Sequence, residues 1–316
     1  MTILFSRVLT RRDFLAVAVG TASMAAAMPG FAAATTSRPD FAAARALVFD
    51  GPTLILSAKG LWRNIDGGAN WARTGDPGAL TALCTHPARP GTVLGIPQAG
   101  GVIRSQDGGR SWKPEAQGLP EMPVDALAIA SHEPDMLYAA VRGDGIWRSQ
   151  DAGETWEFVM DRPYIGGREH DVISLASVNN ATGMGGIWIY AGTAVGLTRV
   201  PDCFCRWQDV TPGDAMDALV AGDAPVAHIT LPADEPVSSL ALAPGSPDVI
   251  YAGLPSGVWK SLDAGVNWRR VAEGVIRALA VNPIDSGHVV ALGDGGISSS
   301  RDGGANWNIF TNHEGE

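Results

Sequence analysis

The chain has 316 residues, of which 46% are hydrophobic and 18% charged, and its formal net charge is −10 at pH 7. This acidic balance argues against nucleic acid as a partner, because nucleic-acid binding depends on neutralising phosphates with Lys and Arg. Beyond the N-terminus, no apolar stretch is long enough to span a bilayer.

The N-terminus carries the features of an export signal. Residues 10–15 read Thr-Arg-Arg-Asp-Phe-Leu, an apolar run covers residues 16–28, and residues 32–34 are alanines that suit a cleavage site. Paired arginines before such a run are typical of twin-arginine export. A short amphipathic helix is the alternative, which the paired arginines disfavour. We therefore expect residues 1–34 to be removed and the product to be periplasmic or secreted, with no cysteine behind the signal to accept lipid.

After a linker at residues 35–44, one pattern recurs six times. In each copy a tryptophan stands five residues after an aspartate and eleven after a glycine. A repeat of roughly 40–50 residues is the signature of a propeller or a solenoid rather than of one irregular core. The six pairs are Asp66 and Trp71, Asp107 and Trp112, Asp151 and Trp156, Asp202 and Trp207, Asp263 and Trp268, and Asp302 and Trp307.

The copy at residues 124–160 divides into four strand-like runs. The first run is small and apolar, the second is rich in β-prone residues, and the last two alternate. Between the last two, Gly153 supplies the positive φ of a tight turn, Asp151 can accept backbone N–H bonds, and Trp156 covers the hairpin. The uniformly apolar first run fits a strand that is buried on both faces near a ring axis.

Six such units predict an all-β fold, a six-bladed β-propeller of four-stranded antiparallel blades that forms one domain. An open solenoid is the alternative, but solenoids usually carry atypical end units, and here the end copies keep the full motif. Complete blades at both ends favour edge-to-edge closure, and we expect a monomer. The predicted segments are blades at about 45–75, 79–114, 124–160, 171–211, 237–272 and 275–310, an insertion at 212–236 and a tail at 311–316.

Four hairpins read Ser-x-Asp-x-Gly-x-(Ser/Thr/Asn)-Trp, and the one at residues 64–71 differs only at its first position. This motif resembles the Asp-box, or BNR repeat, of sialidase-like propellers, sortilin-type receptor domains and Ycf48-type photosystem assembly factors. The resemblance covers residues 45–310. It implies that the repeated aspartates are structural and lie away from any substrate.

The fourth hairpin differs, because Phe204 replaces the turn glycine between Cys203 and Cys205. One interpretation is a disulfide, or a pair of structural thiols, in an oxidising compartment. The other is a soft-metal or redox site, for which two thiolates supply half of a tetrahedral set. Cys84 lies in an apolar run and is expected to be a small buried hydrophobe. We predict no cofactor and no other metal site.

The richest connection between blades is residues 161–171, which carry two arginines, a tyrosine, a histidine and three carboxylates. Loops on a rigid ring are where binding residues concentrate. A merely solvated surface is the alternative. The predicted binding face, including two residues from a neighbouring loop, consists of Arg142, Asp144, Arg162, Tyr164, Arg168, Glu169 and His170.

The resemblance to sialidases would imply an arginine triad, a tyrosine nucleophile paired with a glutamate, and an aspartate acid/base. The Phe/Tyr-Arg-Ile/Leu-Pro motif of that family is absent. Other glycosidases need two carboxylates, about 5 Å or about 6.5–9.5 Å apart. If the chain is a hydrolase, the catalytic candidates are Tyr164, Glu169 and Asp171.

These observations favour an exported, non-catalytic propeller that binds a protein partner in the cell envelope, in the manner of an assembly or accessory factor for an envelope or redox complex. The first alternative is a glycoside hydrolase that acts on an extracytoplasmic glycan. The second is a metal or redox accessory protein that uses Cys203 and Cys205.

Overall fold

The computed structural model describes residues 38–64, 70–115, 117–180, 182, 186–211 and 228–309. The predicted signal, Asp66, most of the predicted insertion and the C-terminal tail lie outside these residues. The described part contains a short 3₁₀-helix at Phe41–Ala43 and 25 β-strands, and no helix in it is long and apolar enough to cross a membrane.

The first three sheets each consist of four consecutive antiparallel strands. They are β1 (Ala46–Asp50), β2 (Thr53–Ser57), β3 (Leu61–Asn64) and β4 (Ala72–Gly75); β5 (Leu80–Thr85), β6 (Val93–Pro97), β7 (Ile103–Ser105) and β8 (Lys113–Pro114); and β9 (Val124–Ala130), β10 (Glu133–Val141), β11 (Gly145–Ser149) and β12 (Glu157–Asp161).

A two-stranded hairpin precedes the last three sheets. Its strands are β13 (Tyr164–Ile165) and β14 (Arg168–Glu169). The sheets are β15 (Val172–Val178), β16 (Trp188–Thr193) and β17 (Gly196–Pro201); β18 (Ser239–Ala243), β19 (Ser246–Leu254), β20 (Gly257–Ser261) and β21 (Trp268–Ala272); and β22 (Ile276–Val281), β23 (Val289–Gly293), β24 (Gly296–Ser300) and β25 (Asn308–Ile309).

The sheets close into a six-bladed β-propeller, which confirms the predicted fold. The innermost strands β1, β5, β9, β15, β18 and β22 pack against one another in that order, and β22 returns to β1. Both terminal sheets are built from consecutive strands, so neither terminus lends a strand to the other blade. Ring closure covers the edges that an open stack of sheets would expose.

The core lies between neighbouring sheets. In β9 every residue except Asp125 is buried, whereas β12 at the outer edge of the same sheet has no buried residue. Leu175 and Ile189 of the fourth sheet pack against Tyr138 and Ala128 of the third. Complete burial of a side chain such as Ile189 contributes about 1.5–3 kcal/mol. The apolar inner runs are therefore explained by contact with a sheet on each side.

The fourth sheet has an irregular outer edge. Three strands are regular, and the position of an outer strand is marked only by an isolated bridge between Arg199 and Gln208. This irregularity follows the exceptional turn at Phe204, where φ is +53°. The turn therefore changes the pairing of the residues that follow it.

Candidate functional site

One face of the ring is formed by the connections between blades and by the loops between second and third strands; we call it the connection face. The hairpin β13–β14 stands on this face, between the third and fourth sheets. Gly166 and Gly167 form its turn with φ of +59° and +87°, a conformation that favours glycine. Tyr164 pairs with Glu169 across the hairpin, and Ile165 pairs with Arg168.

Ion pairs fix the base of this hairpin. Arg162 contacts the carboxylates of both Glu169 and Asp171. Asp171 Oδ1 also accepts a hydrogen bond from the Gly143 backbone N–H at 2.7 Å, which joins the connection to a loop of the third sheet. His170 is buried, and its Nε2 lies 3.1 Å from the Ile165 carbonyl oxygen. The hairpin is therefore held on both sides.

Of the remaining predicted residues of the binding face, two have side-chain partners within the chain and two are exposed to solvent. Arg142 donates to both carboxylate oxygens of Asp125, at 2.9 and 2.5 Å, and Asp144 accepts from the Trp147 indole at 2.6 Å. Tyr164 is 69% exposed, and its hydroxyl donates to the Gly167 carbonyl at 2.7 Å. Arg168 is exposed, and its guanidinium has no hydrogen-bond partner among the described residues.

The three catalytic candidates lie close together but are not arranged as a nucleophile and its base. Glu169 pairs with Arg162, and the Tyr164 hydroxyl is directed to a backbone carbonyl instead. Asp171 is occupied by Arg162 and by the Gly143 N–H. Both carboxylates contact the one guanidinium of Arg162, which compensates one of their two negative charges.

The central channel opens on the same face through a mouth of about 120 Å³. Arg45 and Arg277 line the mouth together with the Asp125 that Arg142 neutralises. The Arg277 Nε is buried and has no hydrogen-bond partner in the described part of the chain. Neither Arg45 nor the mouth was identified as a site from the sequence. The signal was present, because the starts of the six inner strands, when aligned, are the residues that line the mouth.

A ring of six leucines closes the floor of the mouth. One leucine from each inner strand lines both the mouth and a second, larger cavity at the other end of the channel. They consequently lie between the two cavities and divide the channel. These residues, the leucine ring, are Leu47, Leu83, Leu127, Leu175, Leu240 and Leu279.

The repeat hairpins lie at the opposite end of the blades from the connection face. Asp302 illustrates their chemistry: Oδ2 accepts from the Asn306 side chain at 2.6 Å and Oδ1 from the Asn306 backbone N–H at 2.8 Å. These bonds, together with one from Ser300, lower the pKa of Asp302 to about 2. The tryptophan indoles close the turns, as where Trp307 donates to the Gly304 carbonyl at 3.1 Å.

The fourth hairpin departs from the others. The structure joins Cys203 and Cys205 as a disulfide, so neither sulfur is a thiolate available to a metal. Trp207 donates to the Asp161 carbonyl at 2.7 Å instead of to its own turn. No group of three or more His, Cys, Asp or Glu in the described ranges is placed to hold a metal ion.

Cys84, which was expected to be buried, is half-buried on the inner strand of the second sheet. It packs against the cluster that contains Leu127 and Ile129. Burial raises the pKa of its thiol to about 12. The thiol is therefore neutral at physiological pH, as a small hydrophobe in this position should be.

No protein-family model matches the chain, and no curated protein matches it. Solved structures do. A GH74 xyloglucanase from Xanthomonas campestris is similar with 16% identity and a TM-score of 0.53, over 83% of this chain and 45% of that chain. A protein of unknown function from Bacteroides thetaiotaomicron is similar with 10% identity and a TM-score of 0.58, over 81% of this chain and 68% of that chain.

YCF48 from Cyanidioschyzon merolae aligns with 16% identity and a TM-score of 0.46, over 84% of each chain. That score is too low to support an argument. The chain spans less than half the length of the GH74 xyloglucanase. At these identities the likenesses show the propeller fold alone, because one fold hosts many activities.

Proposed function

We propose that this chain is an exported, non-catalytic propeller that binds a protein partner in the cell envelope through its connection face. The observation that carries the proposal is the side chain of Tyr164, which is 69% exposed on a hairpin fixed by ion pairs. Tyr and Arg are enriched among residues that dominate binding energy at protein interfaces. Arg168 lies on the same hairpin and is free to pair with a partner.

The fixed hairpin supports binding for a second reason. Association loses less entropy when the contact residues are already held in place. Arg162, His170 and Asp171 supply that support and leave the Tyr164 ring in solvent. We assign the contact to Tyr164 and Arg168, and a positioning role to the other three residues.

The accessory role and the export route rest on sequence features. The repeat hairpins resemble the Asp-box motif of assembly-factor propellers, and the N-terminus resembles a twin-arginine signal. We propose that the folded protein is exported and assists the maturation of an envelope or redox complex. Fractionation of cells that express the full chain should place it outside the cytoplasm, and replacing Arg11 and Arg12 with lysine should retain it inside.

The test is affinity capture from the native envelope fraction with residues 35–316 as bait. A second bait carries Tyr164→Ala and Arg168→Ala, neither of which breaks an ion pair among the described residues. A matched control carries Ile309→Ala and Arg301→Ala, which remove an exposed apolar side chain and an exposed arginine from the sixth blade. A partner should be retained by the wild type and the control and lost by the second bait.

Binding of the purified partner should then weaken at least about tenfold in the Tyr164→Ala/Arg168→Ala variant, which corresponds to about 1.4 kcal/mol. Equal capture by all three baits would contradict the assignment of the face. Failure of every bait to retain a specific protein would contradict partner binding itself.

Glycoside hydrolysis is the second candidate, and the observation that favours it is the pair Glu169 and Asp171 on one guanidinium. Hydrolysis of an extracytoplasmic glycan would release reducing ends. If the wild type releases reducing ends and both Glu169→Gln and Asp171→Asn fail to do so at unchanged melting temperatures, the result would support a hydrolase rather than a binding module.

A further inference from the structure

The second cavity of the channel lies beyond the leucine ring and opens on the face opposite the connection face. We call this cavity the well; its volume is about 630 Å³. The leucine ring forms its floor, and the next residue of each inner strand is small or β-branched, as with Ala128, Ala176 and Ala280. Small residues above a tight ring widen the channel at this level, so the well has a closed floor and an open top.

The lining of the well is uncharged. It contains no Asp, Glu, Lys or Arg, and its titratable side chains are those of Cys84 and His86. Burial keeps the Cys84 thiol protonated, with a pKa of about 12. His86 Nδ1 accepts a hydrogen bond from the Ala88 N–H at 3.1 Å, and His86 Nε2 lies 3.4 Å from the Ser131 carbonyl oxygen.

Polar groups are confined to one sector of the wall. Thr85, Ser131, Ser177 and Asn179 belong to the second, third and fourth blades. The wall contributed by the fifth, sixth and first blades is apolar, with Leu242 as an example. A molecule in the well would therefore meet hydrogen-bonding groups on one side and hydrocarbon on the other.

Some of these polar groups retain hydrogen-bonding capacity. Ser177 Oγ accepts from the Ser131 N–H at 2.9 Å, and the two hydroxyl oxygens are 3.3 Å apart. Only one of the two hydroxyl hydrogens takes part in the bond between these oxygens, so the other hydroxyl hydrogen is available to a ligand. Asn179 is exposed, and its amide has no hydrogen-bond partner in the described part of the chain. The sector thus offers a donor and an amide to a guest.

We propose that the well binds a small uncharged molecule that has an apolar body and one hydroxyl or carbonyl group. Its volume lies within the range of about 300–1,000 Å³ that is typical of small-molecule sites. A charged guest is disfavoured because the lining supplies no opposite charge, and burying an unpaired charge is costly. The well lies at the other end of the channel from Tyr164 and Arg168, so it is independent of the proposed partner site.

The test uses 1-octanol and octanoate, which share an apolar body of similar length and differ in charge. Calorimetric titration of the wild-type protein at pH 7 should show saturable binding of 1-octanol. Octanoate should bind at least about tenfold more weakly, because its carboxylate has no cation to pair with in the well. Equal affinities would overturn the charge argument, and no saturable binding of 1-octanol would overturn the site.

Two variants locate the binding. Val281→Phe adds an aromatic ring to a half-buried residue of the well, whereas Ser238→Phe adds the same ring to the mouth on the other side of the leucine ring. The first should weaken 1-octanol binding at least about tenfold, and the second should change it less than about twofold. The opposite ranking would overturn the proposal.

A third variant covers the case in which Val281→Phe fails to fold, which a melting curve would reveal. Leu242→Asn places an amide in the apolar wall without filling the space, and it should also weaken 1-octanol binding by about tenfold. Unchanged binding in a folded Leu242→Asn protein would overturn the proposal. The proposal would also be overturned if the wild type failed to bind 1-octanol and Val281→Phe lost a protein that the wild type captures. The well would then be a site for a side chain of the partner.

Discussion

At the scale of single residues, one carboxylate accepts the hydrogen bonds that hold each of the four regular repeat hairpins that the structure describes. Asp151 accepts from the Thr155 backbone N–H and from the Ser149 hydroxyl, both at 2.8 Å, and from the Thr155 hydroxyl. Asp202, at the equivalent position of the fourth hairpin, has no side-chain hydrogen bond among the described residues. The chain therefore contains a natural control for the role of this carboxylate.

We expect Asp151→Ala to lower the free energy of unfolding by about 1 kcal/mol, because three hydrogen bonds to a half-buried carboxylate are lost together. Asp202→Ala should lower it by less than about 0.5 kcal/mol. Urea denaturation of the two variants beside the wild type measures the difference. Equal losses would show that the carboxylate acts through charge alone and not through these bonds.

The same variant predicts a pH dependence. Hydrogen bonds from the Thr155 hydroxyl and backbone hold the pKa of Asp151 below its usual value. A depressed folded-state pKa contributes stability that is present above the unfolded pKa of about 3.9 and is lost as pH falls through the folded value. The stability difference between the wild type and Asp151→Ala should thus be constant from pH 7 to about pH 5 and shrink towards pH 2. A difference that grows on acidification would contradict this sign.

At the scale of structural elements, four blades, the first, second, fourth and fifth, donate hydrogen bonds to backbone carbonyls in the hairpin of the next blade. Arg63 donates to the Gly108 carbonyl at 2.6 Å, and Lys260 donates to the Gly303 carbonyl at 2.8 Å. Buried tyrosines of the second strands act in the same way, since Tyr190 donates to the Ala264 carbonyl at 2.6 Å. The hairpins therefore act as points of contact between blades as well as turns within them.

Tyrosine-to-phenylalanine substitutions should follow a graded order. Tyr190→Phe leaves the Ala264 carbonyl and Arg199 without this partner in a buried place and should cost about 1.5–3 kcal/mol. Tyr251→Phe should cost less, because Lys260 still donates to the same carbonyl.

Tyr138→Phe completes the series and should cost least. Among the described residues its hydroxyl contacts only the Met136 sulfur, at 2.9 Å. Its ring centre lies 5.8 Å from that of Phe204, where the other tyrosines meet a hydrogen-bonded turn. Chemical denaturation of the three variants gives the order directly. A cost for Tyr138→Phe as large as that for Tyr190→Phe would refute the interblade bond as the cause.

At the scale of the whole molecule, the leucine ring is the part of the core that all six blades share. Leu127, Leu175 and Leu279 are less than 10% exposed although they line the channel. Each contacts the inner strands of neighbouring blades, so its packing depends on the closed ring.

We expect Leu175→Ala to lower the free energy of unfolding by about 2–3 kcal/mol, at the low end for leucine because the channel already borders the side chain. Leu279→Ala should cost a similar amount, since the positions are equivalent. Thermal and urea unfolding measure both. A loss below about 0.5 kcal/mol would mean that the ring does not depend on these contacts.

The sequence by itself determined the number of blades, the order of strands and the exceptional fourth hairpin. These features are local, because a recurring Asp-x-Gly turn and alternating apolar runs specify hairpins whatever surrounds them. The sequence also brought Tyr164, Glu169 and Asp171 into one connection, where the structure has them.

Only the tertiary structure decided which groups meet. It pairs Arg142 with Asp125, joins Asp171 to the Gly143 N–H, buries His170 and leaves Tyr164 exposed. The leucine ring and the well likewise exist only once six distant strands converge. The spacing of the repeats reflects hydrogen bonds between residues that are close in the sequence. Contacts between distant blades depend instead on closure of the ring and on the direction in which each side chain points.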